Sequence, residues 1–267
     1  MIKRPRRLVL LGRSLAHSLS PRFQNAALRQ AQLPVVYEVM DVPPSALDDA
    51  LERLGRDDGA GNVTIPYKEK VFERCDRLSA TARRAGAVNT FWFERGELVG
   101  DNTDVGGFDA AVVELLGARP RDRVVGVLGA GGAAAAVLTA VESWSASTAL
   151  VHNRTPDRAA ALCARFSAVA QQADAPKALA RADIVVNATS VGLRDESMPI
   201  DPGLLGSEAT VLDLVYRVGE TAFVRAARAR GLHASDGLGM LVEQGALAFE
   251  RWFGFAPDRG AMWAAVR

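Results

Sequence analysis

The sequence predicts an α/β fold in two domains, and three observations carry that prediction. Short apolar runs alternate with helix-like segments along most of the 267 residues, one apolar run passes straight into a glycine-rich turn and a helix, and the texture of the chain changes after Asp104. A chain of this length has room for one large or two medium domains. Its 32 Lys and Arg against 31 Asp and Glu leave a formal charge of +1, so no general field draws it to nucleic acid or an anionic membrane. Any anion must be held by local groups. The start, Met1-Ile2-Lys3-Arg4-Pro5-Arg6-Arg7 before Leu8-Val9-Leu10-Leu11, has the order of an export signal, but Gly12 and Arg13 end the apolar run too early. No stretch approaches the ~18 apolar residues of a membrane span, and a cytoplasmic protein is expected. Cys75 and Cys163, like His17, His152 and His233, are scattered, so neither a disulfide framework nor a structural metal site is expected.

In the first part of the chain, strands are predicted at Leu8 to Leu11, Val35 to Val39 and Gly61 to Val63. Ser20 before Pro21 reads as an N-cap with proline at the first helical position, and Ser45 before Ala46 to Leu54 starts a second helix in the same way. Thr90 to Phe93 and Leu98 to Asp101, joined through Arg95-Gly96, read as a hairpin. A helix from about Gly107 to Leu116 leads through the polar linker Gly117 to Arg123 into a cleaner βαβ series. Its strands are Val124 to Leu128, Thr148 to His152, Asp183 to Asn187 and Val211 to Val215. Met240 to Phe253, apolar at Leu241, Leu247, Ala248 and Trp252, reads as a long amphipathic helix. The divisions fall at residues 1–104, 105–239 and 240–267.

The strand Val124 to Leu128 runs into Gly129-Ala130-Gly131-Gly132-Ala133-Ala134 and then a helix, the context in which this spacing marks a dinucleotide site. Gly129 permits the tight turn, Gly131 lets backbone approach a pyrophosphate, and Ala134 allows the helix to pack closely on the strand. The helix N-terminus offers free N–H groups to phosphate. Residues 105–239 are thus expected to be a Rossmann-like domain. The next strand ends in Asn153-Arg154-Thr155-Pro156-Asp157-Arg158, where an NAD binder usually carries an acidic residue for the ribose 2′-hydroxyl. Asn153, Thr155 and the guanidinium groups of Arg154 and Arg158 suit a 2′-phosphate instead, so NADP is favoured.

Three polar clusters lie in the first part where no hydrophobic pattern requires them: His17-Ser18-Leu19-Ser20-Pro21, Asn62-Val63-Thr64-Ile65-Pro66-Tyr67-Lys68, and Asn89-Thr90 with Asn102-Thr103-Asp104. Singly each has a plain structural reading: Ser20 as a cap, Lys68 as part of a solvated helix face, Asp104 as the start of a helix. Together with Gly86-Ala87-Val88, Asn187-Ala188-Thr189-Ser190 and Asp236-Gly237-Leu238-Gly239-Met240-Leu241-Val242-x-Gln244-Gly245-Ala246, they come in an order that resembles the shikimate dehydrogenase family over nearly the whole length.

The resemblance implies reversible reduction of 3-dehydroshikimate to shikimate by NADPH, in the pathway to aromatic amino acids. It makes residues 1–104 the substrate domain, 105–239 the NADP domain and 240–267 a helical segment returning to the first, with a small molecule as partner and a homodimer as a possible assembly. Ser18 and Ser20 inherit the substrate carboxylate, with Tyr216 as a helper. Thr64, Asn89 and Gln244 inherit the ring hydroxyls, and Thr189 and Gly237 join Gly129 to Ala133 in the cofactor set. Lys68 and Asp104 become the central pair. Hydride arriving at a ketone carbon builds negative charge on oxygen; an ammonium there stabilises the charge and can supply the proton, while a carboxylate orients the ammonium. The substrate is expected between the domains.

Four positions depart from the family pattern: Gln24 and Tyr67 where histidines are usual, and Ser14 and Val218 where prolines are frequent. Gln24 and Tyr67 neighbour proposed site residues and are expected to reshape the pocket or its pH response. Quinate or aminoshikimate as substrate, and a non-catalytic NADP-sensing protein on the same fold, are the alternatives. Ser20 speaks against quinate, since quinate-selective relatives often carry threonine there. A hydrolase lacks its G-x-S-x-G elbow.

Overall fold

Strand β1 (Arg7–Gly12) sends its side chains alternately into two cores, Leu8 and Leu10 into one and Val9 and Leu11 into the other, so both faces of its sheet are covered. This computed structural model describes residues 4–217 and 219–267; Met1 to Lys3 of the charged start, and Val218, lie outside the described residues. The chain divides into two compact units, one formed by the residues up to Gly107 together with Leu241–Arg267, the other by Phe108–Met240.

In the first unit β1 is followed by α1 (Ser20–Gln30), β2 (Tyr37–Asp41), α2 (Leu47–Arg56), β3 (Gly59–Val63), α3 (Lys68–Arg74), β4 (Arg77–Leu78), α4 (Ala80–Ala85), β5 (Thr90–Glu94), β6 (Glu97–Asp101) and the start of α5 (Asp104–Leu116). The six strands lie in the order β2-β1-β3-β5-β6-β4. β1 pairs in parallel with β2 and β3, β3 and β6 pair antiparallel with β5, and β4 lies parallel to β6. One face is packed by Phe23 of α1 and by Phe249, Trp252, Phe253 and Met262 from the end of the chain; the other by Leu51 and Leu54 of α2, Val71 of α3 and Phe91. The two cysteines are free, and burial pushes the Cys75 thiol up to about 12, which keeps it unreactive.

The second unit continues α5 with β7 (Val124–Leu128), α6 (Gly132–Glu142), β8 (Thr148–His152), α7 (Pro156–Arg165), β9 (Ala170–Gln172), β10 (Ile184–Asn187), β11 (Thr210–Asp213), α8 (Ala222–Ala229), β12 (His233–Ser235) and the first residues of α9 (Leu238–Phe253); α10 (Arg259–Ala264) completes the first unit. All pairs in its sheet are parallel, in the order β12-β11-β10-β7-β8-β9. Numbered from β7 this is the 3-2-1-4-5-6 order of a dinucleotide-binding sheet, with the reversal of direction between β7 and β10. Among the described residues, no helix is long and apolar enough to cross a membrane.

Several expected boundaries move. Ser20 is the first helical residue of α1 and Leu19 occupies the cap position, because the Ser18 hydroxyl rather than Ser20 closes the turn by accepting the Ser20 N–H at 3.2 Å. Ser45 caps nothing; it sits in a 3-10 turn over Pro44–Ala46 that follows Pro43 and runs into α2. The strand expected at Val35 to Val39 is displaced to Tyr37–Asp41, since Val35 follows Pro34 and Asn25 anchors Tyr37 through both its backbone N–H and its carbonyl. The strand expected to Val215 ends at Asp213, whose side chain turns back to accept the Val215 N–H at 3.0 Å.

Candidate active site

The parallel pairing of β1 with β3 brings the segments after both strands to one edge, the carboxyl end at which α/β sheets bind ligands. Thr64 leaves β3 with its N–H donated to Leu11 at 2.9 Å, and Ile65 accepts the Arg13 N–H at 3.2 Å, so the two loops run together. Ser18 lies on the loop after β1, and Ser20 opens α1 directly after it. The Ser18 oxygen accepts the Ser20 N–H and keeps its own hydrogen to donate, a suitable arrangement for a carboxylate ligand.

Lys68 opens α3 directly beyond this point. Its Nζ donates to Asp104 Oδ2 at 2.6 Å; the lysine side chain is 22% exposed and the aspartate 7%. Asp104 opens α5 and its other oxygen, Oδ1, accepts from Asn89 Nδ2 at 2.8 Å. Asn89 is held by its backbone, which accepts the Val63 N–H at 2.7 Å and donates to Asp101 at 3.1 Å, while the neighbouring Val88 N–H donates to Lys68 at 2.9 Å. Gln244 of α9 reaches the same cluster, its Oε1 accepting from Asn89 Nδ2 at 3.2 Å. A Cβ at Gly107 would stand 2.7 Å from the Gln244 backbone nitrogen, so glycine there lets α5 press against α9 one turn after Asp104. Arg251, further along α9, donates to the buried Asp101 at 2.7 Å and fixes the helix to β6.

Of the residues predicted for substrate and catalysis, Lys68, Asp104, Asn89 and Gln244 are thus joined by hydrogen bonds in one cluster, with Ser18 and Thr64 on the adjoining loops and Ser20 at the start of α1. Tyr216 belongs to the other unit, past the end of β11. Gln24 and Tyr67 both make their hydrogen bonds in the buried interior. Tyr67 is fully buried in the core, its hydroxyl donating to the Val42 carbonyl at 2.6 Å, and Gln24 is buried with its amide donating to Gly245 at 2.9 Å. Both are structural ties, the second holding α1 to α9.

In the second unit the glycine turn follows β7 as its spacing requires. Gly129 has φ +115°, and a Cβ there would lie 2.9 Å from the Ala188 carbonyl oxygen after β10, so only glycine fits. Gly131 precedes α6 with ordinary φ, and a Cβ built on it meets nothing within 4 Å. Its side of the turn is open for a phosphate to approach the N–H groups of Gly132 and Ala133 at the start of α6. The Gly129 N–H donates to the His152 carbonyl at 2.8 Å, which sets the end of β8 beside the turn. There Asn153 donates to the Thr155 carbonyl at 2.9 Å and tightens the entry to α7, and Arg154 and Arg158 are exposed. Among the described residues, no carboxylate lies within ion-pair distance of either arginine. These groups fit a dinucleotide with a charged 2′ substituent.

Thr189 packs its methyl against Gly129 and donates its hydroxyl to Asn187 Oδ1 at 2.7 Å. Gly237 donates to the Val215 carbonyl at 3.1 Å, with Leu214 so close that a Cβ would fall 2.3 Å from its oxygen. Both loops rest on a residue the sequence reading missed. Asp213, fully buried at the end of β11, accepts from Asn187 Nδ2 at 2.7 Å, Thr221 Oγ1 at 2.7 Å and the Val215 N–H at 3.0 Å. Burial holds its carboxyl above the ordinary carboxylate range, although the three donors oppose that. A carboxylate closing the apolar run Val211-Leu212 was the available signal.

Family profiles agree with the geometry. Residues 10–91 match a shikimate dehydrogenase substrate binding domain, 114–193 a shikimate / quinate 5-dehydrogenase, and 237–267 a shikimate 5′-dehydrogenase C-terminal domain. The shikimate dehydrogenase (NADP(+)) of Methylocella silvestris is 43% identical over 259 residues, covering 94% of this chain and 91% of that one. Among solved structures, shikimate 5-dehydrogenase from Thermus thermophilus in complex with NADP(H) and shikimate superposes with a TM-score of 0.88 at 41% identity, over 97% of each chain. Shikimate dehydrogenase from Aquifex aeolicus gives 0.92 at 34% identity over the whole of both.

Proposed function

Since this chain belongs to the shikimate dehydrogenase family, we propose that it catalyses the reversible NADPH-dependent reduction of 3-dehydroshikimate to shikimate, a ketone-to-alcohol step in aromatic amino-acid biosynthesis. The observation that carries this reading is the 2.6 Å contact of Lys68 with Asp104, itself held by Asn89. One carboxylate oxygen orients the ammonium and the other is fixed, so the remaining Lys68 hydrogens point from a defined position.

The reduced nicotinamide supplies the hydride when bound. The chain's own residues then have four tasks. Ser18 and Ser20 hold the substrate carboxylate, with Tyr216 assisting. Thr64, Asn89 and Gln244 hold ring hydroxyls and so present the carbonyl in one orientation. Lys68 donates to the carbonyl oxygen as charge develops and gives it a proton; in the reverse direction it takes that proton back. Asp104 keeps the ammonium aimed. In the second unit Gly129 to Ala133, Thr189 and Gly237 receive the dinucleotide, and Asn153, Arg154, Thr155 and Arg158 receive its 2′-phosphate.

The test is an initial-rate panel that pairs NADP and NAD with shikimate, quinate and aminoshikimate. NADP with shikimate is expected to give the highest kcat/KM. A higher value for quinate or aminoshikimate would replace the substrate, and a blank throughout, with NADP still bound, would make the protein a sensor.

A further inference from the structure

Helix α9 carries Gln244 to the cluster around Asn89, and three successive residues of that helix are each held by a different neighbour. Gln244 packs on α5 across glycines: a Cβ on Gly107 would lie 2.6 Å from Gln244 Cβ, and one on Gly106 would lie 2.6 Å from Leu247 Cδ1. Glu243 accepts from Arg259 of α10 at 3.0 Å, and the same guanidinium reaches Glu250, two turns on, at 3.3 Å. Gly245 packs on α1: Gln24 Nε2 donates to its carbonyl at 2.9 Å, and a Cβ on it would fall 2.3 Å from Phe23 Cε2. Successive residues of a helix point about 100° apart, so the three contacts fix α9 in rotation as well as in position.

The Gln244 side chain is folded against its own helix, with Nε2 donating to the Leu241 carbonyl at 2.7 Å, which leaves Oε1 to meet Asn89 Nδ2 at 3.2 Å. Its placement therefore follows that of α9. A side-chain tip stands about 5–6 Å from a helix axis, so a turn of about 10° carries it about 1 Å, enough to lose a hydrogen bond. On α1, Gln24 lies one turn after Ser20, and side chains four apart share a helix face. The Gln24–Gly245 bond thus joins the helix that begins at Ser20 to the residue next to Gln244. Packing alone does not call for this bond. Gln24 is fully buried and, among the described residues, its Oε1 has no hydrogen-bond partner; an apolar side chain of equal length would fill the space without that cost.

We propose that Gln24 is a positioning residue that sets the span between the carboxylate end of the site, at Ser20, and the hydroxyl ligand Gln244, a role that rests on the reading of both as substrate ligands. A cyclic substrate of fixed size engages both ends only when the two helices stand at one spacing, and each contact then strengthens the other. Where one end is removed, the molecule settles on the other and the spacing ceases to matter. Gln24 acts through the two helices and not by touching the substrate.

The test uses the full chain with NADPH and 3-dehydroshikimate. Gln24→Met removes the donor and keeps the length; the Gly245 carbonyl retains its helical partner, so no buried group is stranded and Tm is expected to stay within about 3 °C of wild type. KM is expected to rise about five- to tenfold with kcat within about threefold, since both contacts are made in ground and transition states alike. NADPH Kd is expected to stay within about twofold. Gln24→His, whose Nε2 stands as many bonds from Cβ as that of glutamine, is expected to bring KM back to within about twofold of wild type. In a Gln244→Ala background Gln24→Met is expected to change KM by less than about twofold, because one end of the span is already gone. An unchanged KM in Gln24→Met, no rescue by histidine, or an equal loss in both backgrounds would overturn the proposal, the last marking Gln24 as a packing residue. Should Gln24→Met not fold, Gln24→Leu decides by the same comparisons. A wild-type protein without turnover would refute the functional assignment instead. The positioning is then read from the side-chain N–H resonances of Asn89 in ¹⁵N-labelled protein: Gln24→Met is expected to move the one that meets Gln244 and Gln24→His to restore it, and unmoved resonances refute it.

Discussion

The two glycines at the β7–α6 turn allow the cofactor reading to be separated from the demands of the fold. Gly129→Ala places a methyl at φ +115°, 2.9 Å from the Ala188 oxygen and 3.1 Å from both the Ala188 carbonyl carbon and Thr189 Cγ2. The backbone conformation costs about 1–2 kcal/mol for an L-residue, and relieving the contacts with a neighbouring backbone costs about as much again, for a total of about 2–4 kcal/mol. At about 2–4 °C per kcal/mol for a chain of this size, Tm should fall by about 4–16 °C without ligand. Gly131→Ala has φ −105° and no atom within 4 Å of the new methyl. Its ligand-free Tm should stay within about 1 °C of wild type. Its methyl nevertheless stands where a pyrophosphate would approach, and NADPH affinity should fall about 10- to 100-fold, the equivalent of about 1.4–2.8 kcal/mol. Thermal melts without ligand and calorimetric titration with NADPH measure the two quantities. Wild-type affinity in Gly131→Ala would refute the placement of the phosphates, and an undisturbed Tm in Gly129→Ala would refute the steric argument.

Three further outcomes are expected. Lys68→Ala should lower kcat by about 10²- to 10⁴-fold while NADPH binding stays near wild type, because the proton donor is lost and the cofactor residues lie in the other unit; near-normal turnover removes Lys68 from the chemistry. Replacing Arg154 and Arg158 together with alanine should weaken NADP about 30- to 100-fold and NAD by less than about threefold, measured as Kd for each; equal losses would sink the 2′-phosphate assignment. Asp213→Asn addresses a pH effect. Burial raises the folded-state Asp213 carboxyl above its ordinary value of 3.8, so folding retains a proton that the unfolded chain releases. Its contribution to stability is present below that value and lost as pH rises through the folded pKa. The Tm of Asp213→Asn minus that of wild type should therefore rise with pH above about 4, and a pH-independent difference would count against the argument.

The parts of the site that read directly from the sequence are those where local chemistry has few solutions. A glycine turn between an apolar strand and a helix specifies backbone geometry, and Gly129 has the left-handed φ that this demands. Lys68 and Asp104 were marked by motif, but their 2.6 Å contact depends on β3 and β6 sharing β5 as a neighbour, which no local pattern encodes. The caps were harder. A serine before a helix can serve either by capping or by turning the loop before it, and Ser18, not Ser20, does so here. Tyr67 and Gln24 look like site residues by position along the chain, yet each turns into a core, and side-chain direction is decided by packing. Asn62, Thr90 and Thr103 stand out in the sequence as polar residues that no hydrophobic pattern requires, but the hydrogen bonds that join them form only where β3, β5 and the Thr103 segment are brought together.

The first unit is not continuous in the chain: residues up to Gly107 are completed by Leu241–Arg267. During synthesis its sheet leaves the ribosome well before Phe249, Trp252, Phe253 and Met262, which cover one face of it. At roughly 5–20 residues per second the intervening stretch takes on the order of ten seconds to make. For that interval Leu8, Leu10 and Phe23 lack their apolar cover and Asn89 lacks Gln244, while the inserted unit can already fold around its own parallel sheet. The nascent chain is thus able to form its dinucleotide fold before it can finish the cluster around Lys68, and a ribosome stalled short of Leu241 would display the first without the second.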